Sequence, residues 1–172
     1  PEANISTLNE DEALSLLDEL SEEPFLLILD QVQDPRNLGA CLRSADGAGV
    51  NLVIIPSDRS AGLTEVVRHV AAGAAEVLPL ARVRNLSRFM KELNVRGIRM
   101  VGTSDQAKQA VFDSDMKGPL ALVVGAEETG IRRLTAENCD SLINIPMTGT
   151  IECLNVSVAT GICLFEAFRQ RR

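Results

Sequence analysis

Apolar residues in this chain gather into short runs, Phe25-Leu-Leu-Ile-Leu29, Leu52-Val-Ile-Ile55, Val77-Leu-Pro-Leu80, Ile98-Arg-Met-Val101, Leu120-Ala-Leu-Val-Val124 and Leu142-Ile-Asn-Ile145. Gly, Pro, Asp or Ser bounds the runs, and several lack a two-residue alternation, as expected for strands covered on both faces. Between them, helical spacing predicts helices over about 37–48, 62–72, 84–95, 106–112 and 130–139. Strand and helix in turn predict an α/β domain with a mostly parallel six-stranded sheet and helices on both faces. The final predicted helix, about Leu154 to Arg169, is apolar nearly all round through Val156, Val158, Ile162, Leu164, Phe165 and Phe168. A helix of that kind needs cover on every side, and in a domain this small the expected cover is a second copy, giving a homodimer.

Length adds one constraint: 172 residues suit a single core. The expected boundaries are 25–172 for the domain and 1–24 for an acidic linker carrying a short helix, left from a truncated N-terminal region. Leu14, Leu16, Leu17 and Leu20 mark that helix, Asn9, Asp11 and Ser15 are its candidate caps, and Pro24 ends it. The stretch has no basic n-region and no apolar h-region, so it does not read as a signal peptide.

Net charge is -7 with a pI near 4.8, which at first excludes a nucleic-acid binder. The distribution reverses that reading: residues 1–30 hold nine acids and no Lys or Arg, leaving fifteen acids against seventeen bases in the remainder. Cys41, Cys139, Cys153 and Cys163 show no metal-ligand spacing and there is a single His69, so no metal is expected and the thiols read as reduced packing residues of a cytoplasmic protein. No apolar run is long enough for a membrane span.

Three distant segments hold the candidate chemistry, each at the C-terminal end of a predicted strand, where parallel sheets build their sites. In Asp34-Pro35-Arg36-Asn37, Asn37 caps a helix or presents its amide to a ligand, and Arg43 lies six residues on in a small, apolar stretch where a guanidinium seeks an anion. Gly125-Ala-Glu-Glu-Thr-Gly130 admits a ligand to the backbone at Gly125, places the Glu127 carboxylate at the strand end, offers Thr129 as a cap and leaves Glu128 solvated. The third, Ile145 to Ala159, carries Asn155 and Ser157 at the mouth of the apolar helix, as caps or as functional groups.

Together the segments resemble the SpoU branch of the SPOUT RNA 2′-O-ribose methyltransferases: an Asn with an Arg six residues later, a GxExxG turn, and IPM ahead of LNVSVA. The likeness spans about Phe25 to Arg172. DPRNLGACLRSADGAG and LNVSVATGICLFEA look closest to members that methylate a guanosine ribose of 23S ribosomal RNA. The resemblance implies a SPOUT fold with a C-terminal deep trefoil knot, S-adenosylmethionine bound in the knot, and a homodimer completing the site. It implies donor contacts at Thr103, Gly125, Ile145 and Leu154. For catalysis or substrate placement it implies Arg43, Asn37, Glu127, Asn155 and Ser157, with Arg43 either deprotonated by its site or cationic beside a developing alkoxide or phosphate. Arg36, Arg59, Arg68, Arg132 and Arg133 are candidate RNA-backbone contacts. The alternatives are a transfer-RNA 2′-O-methyltransferase of the same family and a non-catalytic RNA-binding or ribosome-assembly factor.

Overall fold

The structure, a computed structural model, describes residues 7–58, 64–126 and 129–172. Its strands are β1 (Phe25–Asp30), β2 (Leu52–Pro56), β3 (Leu80–Val83), β4 (Arg99–Thr103), β5 (Gln109–Ala110), β6 (Leu120–Gly125) and β7 (Ser141–Asn144). They form one sheet in the order β3-β2-β1-β6-β4-β7-β5, and every strand pairing is parallel. Every residue of β1, β2 and β6 is buried, which explains their unalternating apolar composition.

The helices are α1 (Glu10–Glu19), α2 (Pro35–Ala48), α3 (Glu65–Ala71), α4 (Ala74–Val77), α5 (Leu86–Val95), α6 (Arg133–Glu137) and α7 (Val156–Arg171). Leu38, Cys41 and Leu42 of α2, Val67 of α3, Ala74 of α4, and Cys163 and Leu164 of α7 cover one sheet face. On the other, Ala13 and Leu17 of α1 meet Leu86, Phe89, Met90 and Leu93 of α5. Small residues let α2 approach its neighbours: a Cβ on Gly39 would lie 2.8 Å from the Val67 carbonyl oxygen, and one on Gly161 would lie 3.6 Å from Ser44 Oγ. Chain order reverses around β1, with β2 and β3 on one side and β6 then β4 on the other, and the carboxyl ends flanking such a switch are the customary binding crevice.

Two sequence expectations are corrected. The run at 77–80 is expected to be a strand, but residues 74–77 form α4 and β3 starts only at Leu80, because Pro79 has no N–H to donate and helps the ladder only through its carbonyl, which Val53 N–H meets at 3.0 Å. The stretch 106–112, expected to be helical, gives the two-residue β5 and one 3₁₀ turn, Val111–Asp113. β5 raises the strand count from the expected six to seven. The expected helix at 62–72 begins in part outside the described residues, and its described portion is α3.

The acidic leading segment does dock a helix. Asn9 and Glu12 form a reciprocal capping box at the start of α1. Leu8 hydrogen-bonds along β3, donating to the Leu80 carbonyl at 2.8 Å and accepting from Arg82 N–H at 3.0 Å. Asp18 pairs with Arg96 at 2.9 Å and Glu10 with Arg88 at 2.9 Å. The Arg96 hydrogen bond holds the Asp18 carboxyl below its ordinary range. A carboxyl lowered on folding favours the fold above its unfolded titration and loses that contribution as pH falls. Amide exchange along α1 is therefore expected to quicken below about pH 4, modestly because Asp18 is exposed.

Candidate active site

The N-termini of α2 and α7 meet. Asp34, not Asn37, caps α2, its carboxylate accepting from Arg36 N–H at 2.8 Å with Pro35 at the first helical position. That leaves the Asn37 side chain for other duty, and its Oδ1 accepts from Asn155 Nδ2 at 3.1 Å. Asn155 in turn caps α7: its Oδ1 accepts from Ser157 N–H at 2.9 Å, Val158 N–H at 3.4 Å and Ser157 Oγ at 2.5 Å. Of the two polar residues read as caps or functional groups, Asn155 is the cap and Ser157 rests on it. Two positive helix-dipole ends thus converge on one amide and hydroxyl cluster, an arrangement that favours negative charge.

Arg43 stands on the same helix as Asn37, about 9 Å further along the axis. Asn37, Ala40 and Arg43 follow an i, i+3 row, so the guanidinium rises from the flank of the α2 face that meets α7 at Ser44 and Gly47. Sequence reasoning expects an anionic partner. Instead Arg43 is exposed and, among the described residues, makes no hydrogen bond or ion pair. Ser157→Ala removes a hydroxyl that caps nothing, so it is expected to leave the melting temperature within about 2 °C, read by thermal denaturation.

Beside this cluster opens a cavity of about 530 Å³ at the carboxyl ends of β4, β6 and β7. Thr103, Gly125, Ile145 and Leu154, the four expected donor contacts, all line it. Apolar lining comes from Ile131, Leu142 and Ile143, polar lining from Asp105, Gln106, Asn144 and Glu152. Leu154, Val156 and Ala159 line the cavity and alternate along the chain with Asn155 and Ser157, so the α7 N-terminus joins the two regions.

The turn leaving β6 is drawn tight. Gly130 N–H donates to the Ala126 carbonyl at 2.8 Å, and a Cβ on Gly125 would lie 2.1 Å from the Gly130 carbonyl carbon, so any larger residue there forces the backbone to shift. Thr129 is exposed and caps nothing; α6 starts at Arg133 without a side-chain cap. Glu127, Glu128 and Arg59 lie outside the described residues.

Of the other arginines expected to touch RNA, Arg36 is exposed at the start of α2, Arg68 pairs with Glu76, and Arg133 pairs with Glu137 at 3.2 Å. Arg132 is instead tied to a buried carboxylate. Its Nε and Nη2 each lie 2.8 Å from Asp30 Oδ1, and its backbone N–H donates to Asp30 Oδ2 at 2.8 Å. Asp30 is fully buried and is not singled out by the sequence reading. The available signal was a carboxylate closing a wholly apolar strand, a position that demands a cation.

Burial pushes the Cys139 and Cys163 thiols up to about 12 and Cys41 up to about 11, so all three remain protonated near neutral pH. Cys153 is exposed and lines the cavity. Alkylation of the folded chain near neutral pH is expected to modify Cys153 first and to slow when the cavity is filled, which peptide mass mapping would read. Among the described residues no cluster of metal-ligating side chains occurs, and no helix is long and apolar enough to cross a membrane.

Comparison with known proteins agrees with this architecture. The 23S rRNA (guanosine-2'-O-)-methyltransferase RlmB of Ralstonia nicotianae is 56% identical over 170 residues, covering 99% of this chain and 67% of that protein. The protein of the same name from Escherichia coli is 61% identical over 150 residues, covering 87% of this chain and 62% of its own length. This chain thus spans about two thirds of the length of these curated relatives. The crystal structure of the SpoU methyltransferase AviRb from Streptomyces viridochromogenes in complex with the cofactor AdoMet superposes with a TM-score of 0.82 at 29% identity, over 88% of this chain and 62% of that one. The model of the SpoU rRNA Methylase family matches residues 24–165, most of the chain, and the chain belongs to that family.

Proposed function

We propose that this chain transfers a methyl group from S-adenosylmethionine to a ribose 2′-hydroxyl of RNA, with a guanosine of 23S rRNA as the target. One observation carries the reading: the cavity lined by Thr103, Gly125, Ile145 and Leu154 abuts the Asn37, Asn155 and Ser157 cluster at two joined helix N-termini. Identity of 61% to a guanosine 2′-O-methyltransferase supports the substrate.

The cavity fits the donor. Its volume lies within the range of about 300–1,000 Å³ usual for small-molecule sites. Ile131, Leu142 and Ile143 would take a purine face, Gly125 admits a ligand close to the backbone, and Asp105 and Glu152 suit a cationic, amine-bearing molecule. When bound, the sulfonium supplies an already activated methyl group. What remains for the protein is alignment, worth up to about 7–11 kcal/mol of the barrier, and relief of charge as the hydroxyl loses its proton. Arg43 acts in this reading as a cation on the alkoxide side, while Asn37 and Ser157, tied together through Asn155, orient the ribose. Glu127 is assigned to the same set on the resemblance alone. Arg36, Arg68 and Arg133, all exposed, remain proposed for the RNA backbone, with Arg59 kept on the resemblance alone.

The deep trefoil knot and the dimer belong to the same reading. Threading is supported by β7 pairing between the earlier strands β4 and β5 before α7 returns to pack on α2. Self-association is supported by Val158, Phe165 and Phe168 of α7, which are 51%, 45% and 37% exposed. Phe165→Glu is expected to yield a monomer by sedimentation equilibrium where the parent chain is a dimer. The function itself is tested by mapping ribose methylation across ribosomal and transfer RNA from cells lacking this gene. Loss of one 23S guanosine mark is expected; loss of a transfer-RNA mark would move the target to tRNA, and an unchanged map together with no donor affinity would leave a non-catalytic factor.

A further inference from the structure

The Asp30 and Arg132 ion pair lies outside the catalytic and donor sets, yet it closes the turn that borders the cavity. Asp30 ends β1 in register with Gly125 at the end of β6. Arg132 comes directly after Gly130 and Ile131, both of which line the cavity. The turn is therefore fixed at two points. At its base Gly125 and Gly130 touch backbone to backbone, and at its far end the Arg132 fork and amide grip a carboxylate that is 0% exposed. A lone buried carboxylate is strongly disfavoured, and a planar guanidinium with an adjacent N–H answers both of its oxygens in one orientation only.

We infer that Asp30 and Arg132 are positioning residues that hold Gly130 and Ile131 in their donor-binding place, and that Arg132 works through the protein interior and not by touching RNA. The inference rests on the reading that this cavity takes S-adenosylmethionine. Neither residue meets the donor; each acts through the place it gives to Gly130 and Ile131. Asp30 contributes the end anchored in the sheet, since β1 is buried at every position, and Arg132 contributes the end that follows Gly130 and Ile131.

Equilibrium binding of S-adenosylmethionine to the parent chain, Asp30→Asn, Arg132→Lys and Arg132→Ala tests it, with melting temperatures and RNA affinity measured on the same samples. Asn can still accept the Arg132 N–H, and Lys keeps the charge without the fork, so both variants are mild enough to fold. Donor affinity is expected to fall by about tenfold to a hundredfold in Arg132→Ala and Asp30→Asn, with partial rescue in Arg132→Lys and RNA affinity unchanged. Combining Asp30→Asn with Arg132→Ala should cost no more than the worse single change. Lowered melting temperatures with parental donor affinity would make the pair a stability device and overturn the inference. Weakened RNA binding with intact donor binding would return Arg132 to the RNA surface and overturn it equally. A parent chain that binds no donor would remove the functional reading and this inference with it, whereas a binding parent with equally binding variants would remove the inference alone.

Discussion

Arg43→Ala is expected to cut methyl transfer by at least about a hundredfold while leaving donor affinity and melting temperature close to those of the parent chain. Stability should hold because the side chain is exposed and, among the described residues, has no partner to abandon. Donor affinity should hold because Arg43 does not line the cavity. Loss of turnover alone is what a group acting on the hydroxyl side predicts. A single-turnover assay with saturating donor separates the outcomes, and parental turnover would strike Arg43 from the catalytic set. Arg43→Lys should recover little, since a point charge on a flexible stem does not reproduce the planar fork.

Gly125→Ala should act on the opposite half of the site. A methyl there meets Gly130 backbone atoms at 2.1 and 2.2 Å and Ile131 N at 2.2 Å, so the turn must move or the strand end must. Overpacking of this kind costs about 1–3 kcal/mol, and backbone has no rotamer with which to yield. Because Gly130 and Ile131 line the cavity, the displacement falls on the donor: affinity is expected to drop by more than about tenfold, an energy of about 1.4 kcal/mol, measured by titration calorimetry. Parental affinity in a folded Gly125→Ala chain would mean that the turn is not part of the donor site.

Three sequence segments point to one pocket, and the structure joins Asn37 to Asn155 and brings Gly125, Ile145 and Leu154 to one cavity, whereas Thr103 came only from the family resemblance. That was readable because glycines and polar side chains at strand ends have few structural uses. The central strands were equally plain, since burial on both faces removes polar residues from β1, β2 and β6. Legibility failed at the rims. β5 is two residues long, too short to leave a pattern, and Pro79 sits where β3 was expected to run. Arg132 and Arg133 look identical in sequence, yet one faces a buried carboxylate and the other stands in solvent. Only the partner at Asp30, 102 positions away, distinguishes them. Asn37 illustrates the same limit on a smaller scale: Asp34 took the cap, which local preference alone could not decide.

The backbone bonds that Leu8 makes with β3 have a practical consequence for handling this protein. An uncovered strand flank invites other chains to add to it, and here a single leucine with the α1 stretch behind it serves as the lid on that flank. Expression variants trimmed to Pro24 would shed the lid together with Ala13 and Leu17, and should precipitate on concentration where the longer chain stays clear. Affinity tags and fusion partners are better attached ahead of residue 7 than in exchange for Leu8 and α1.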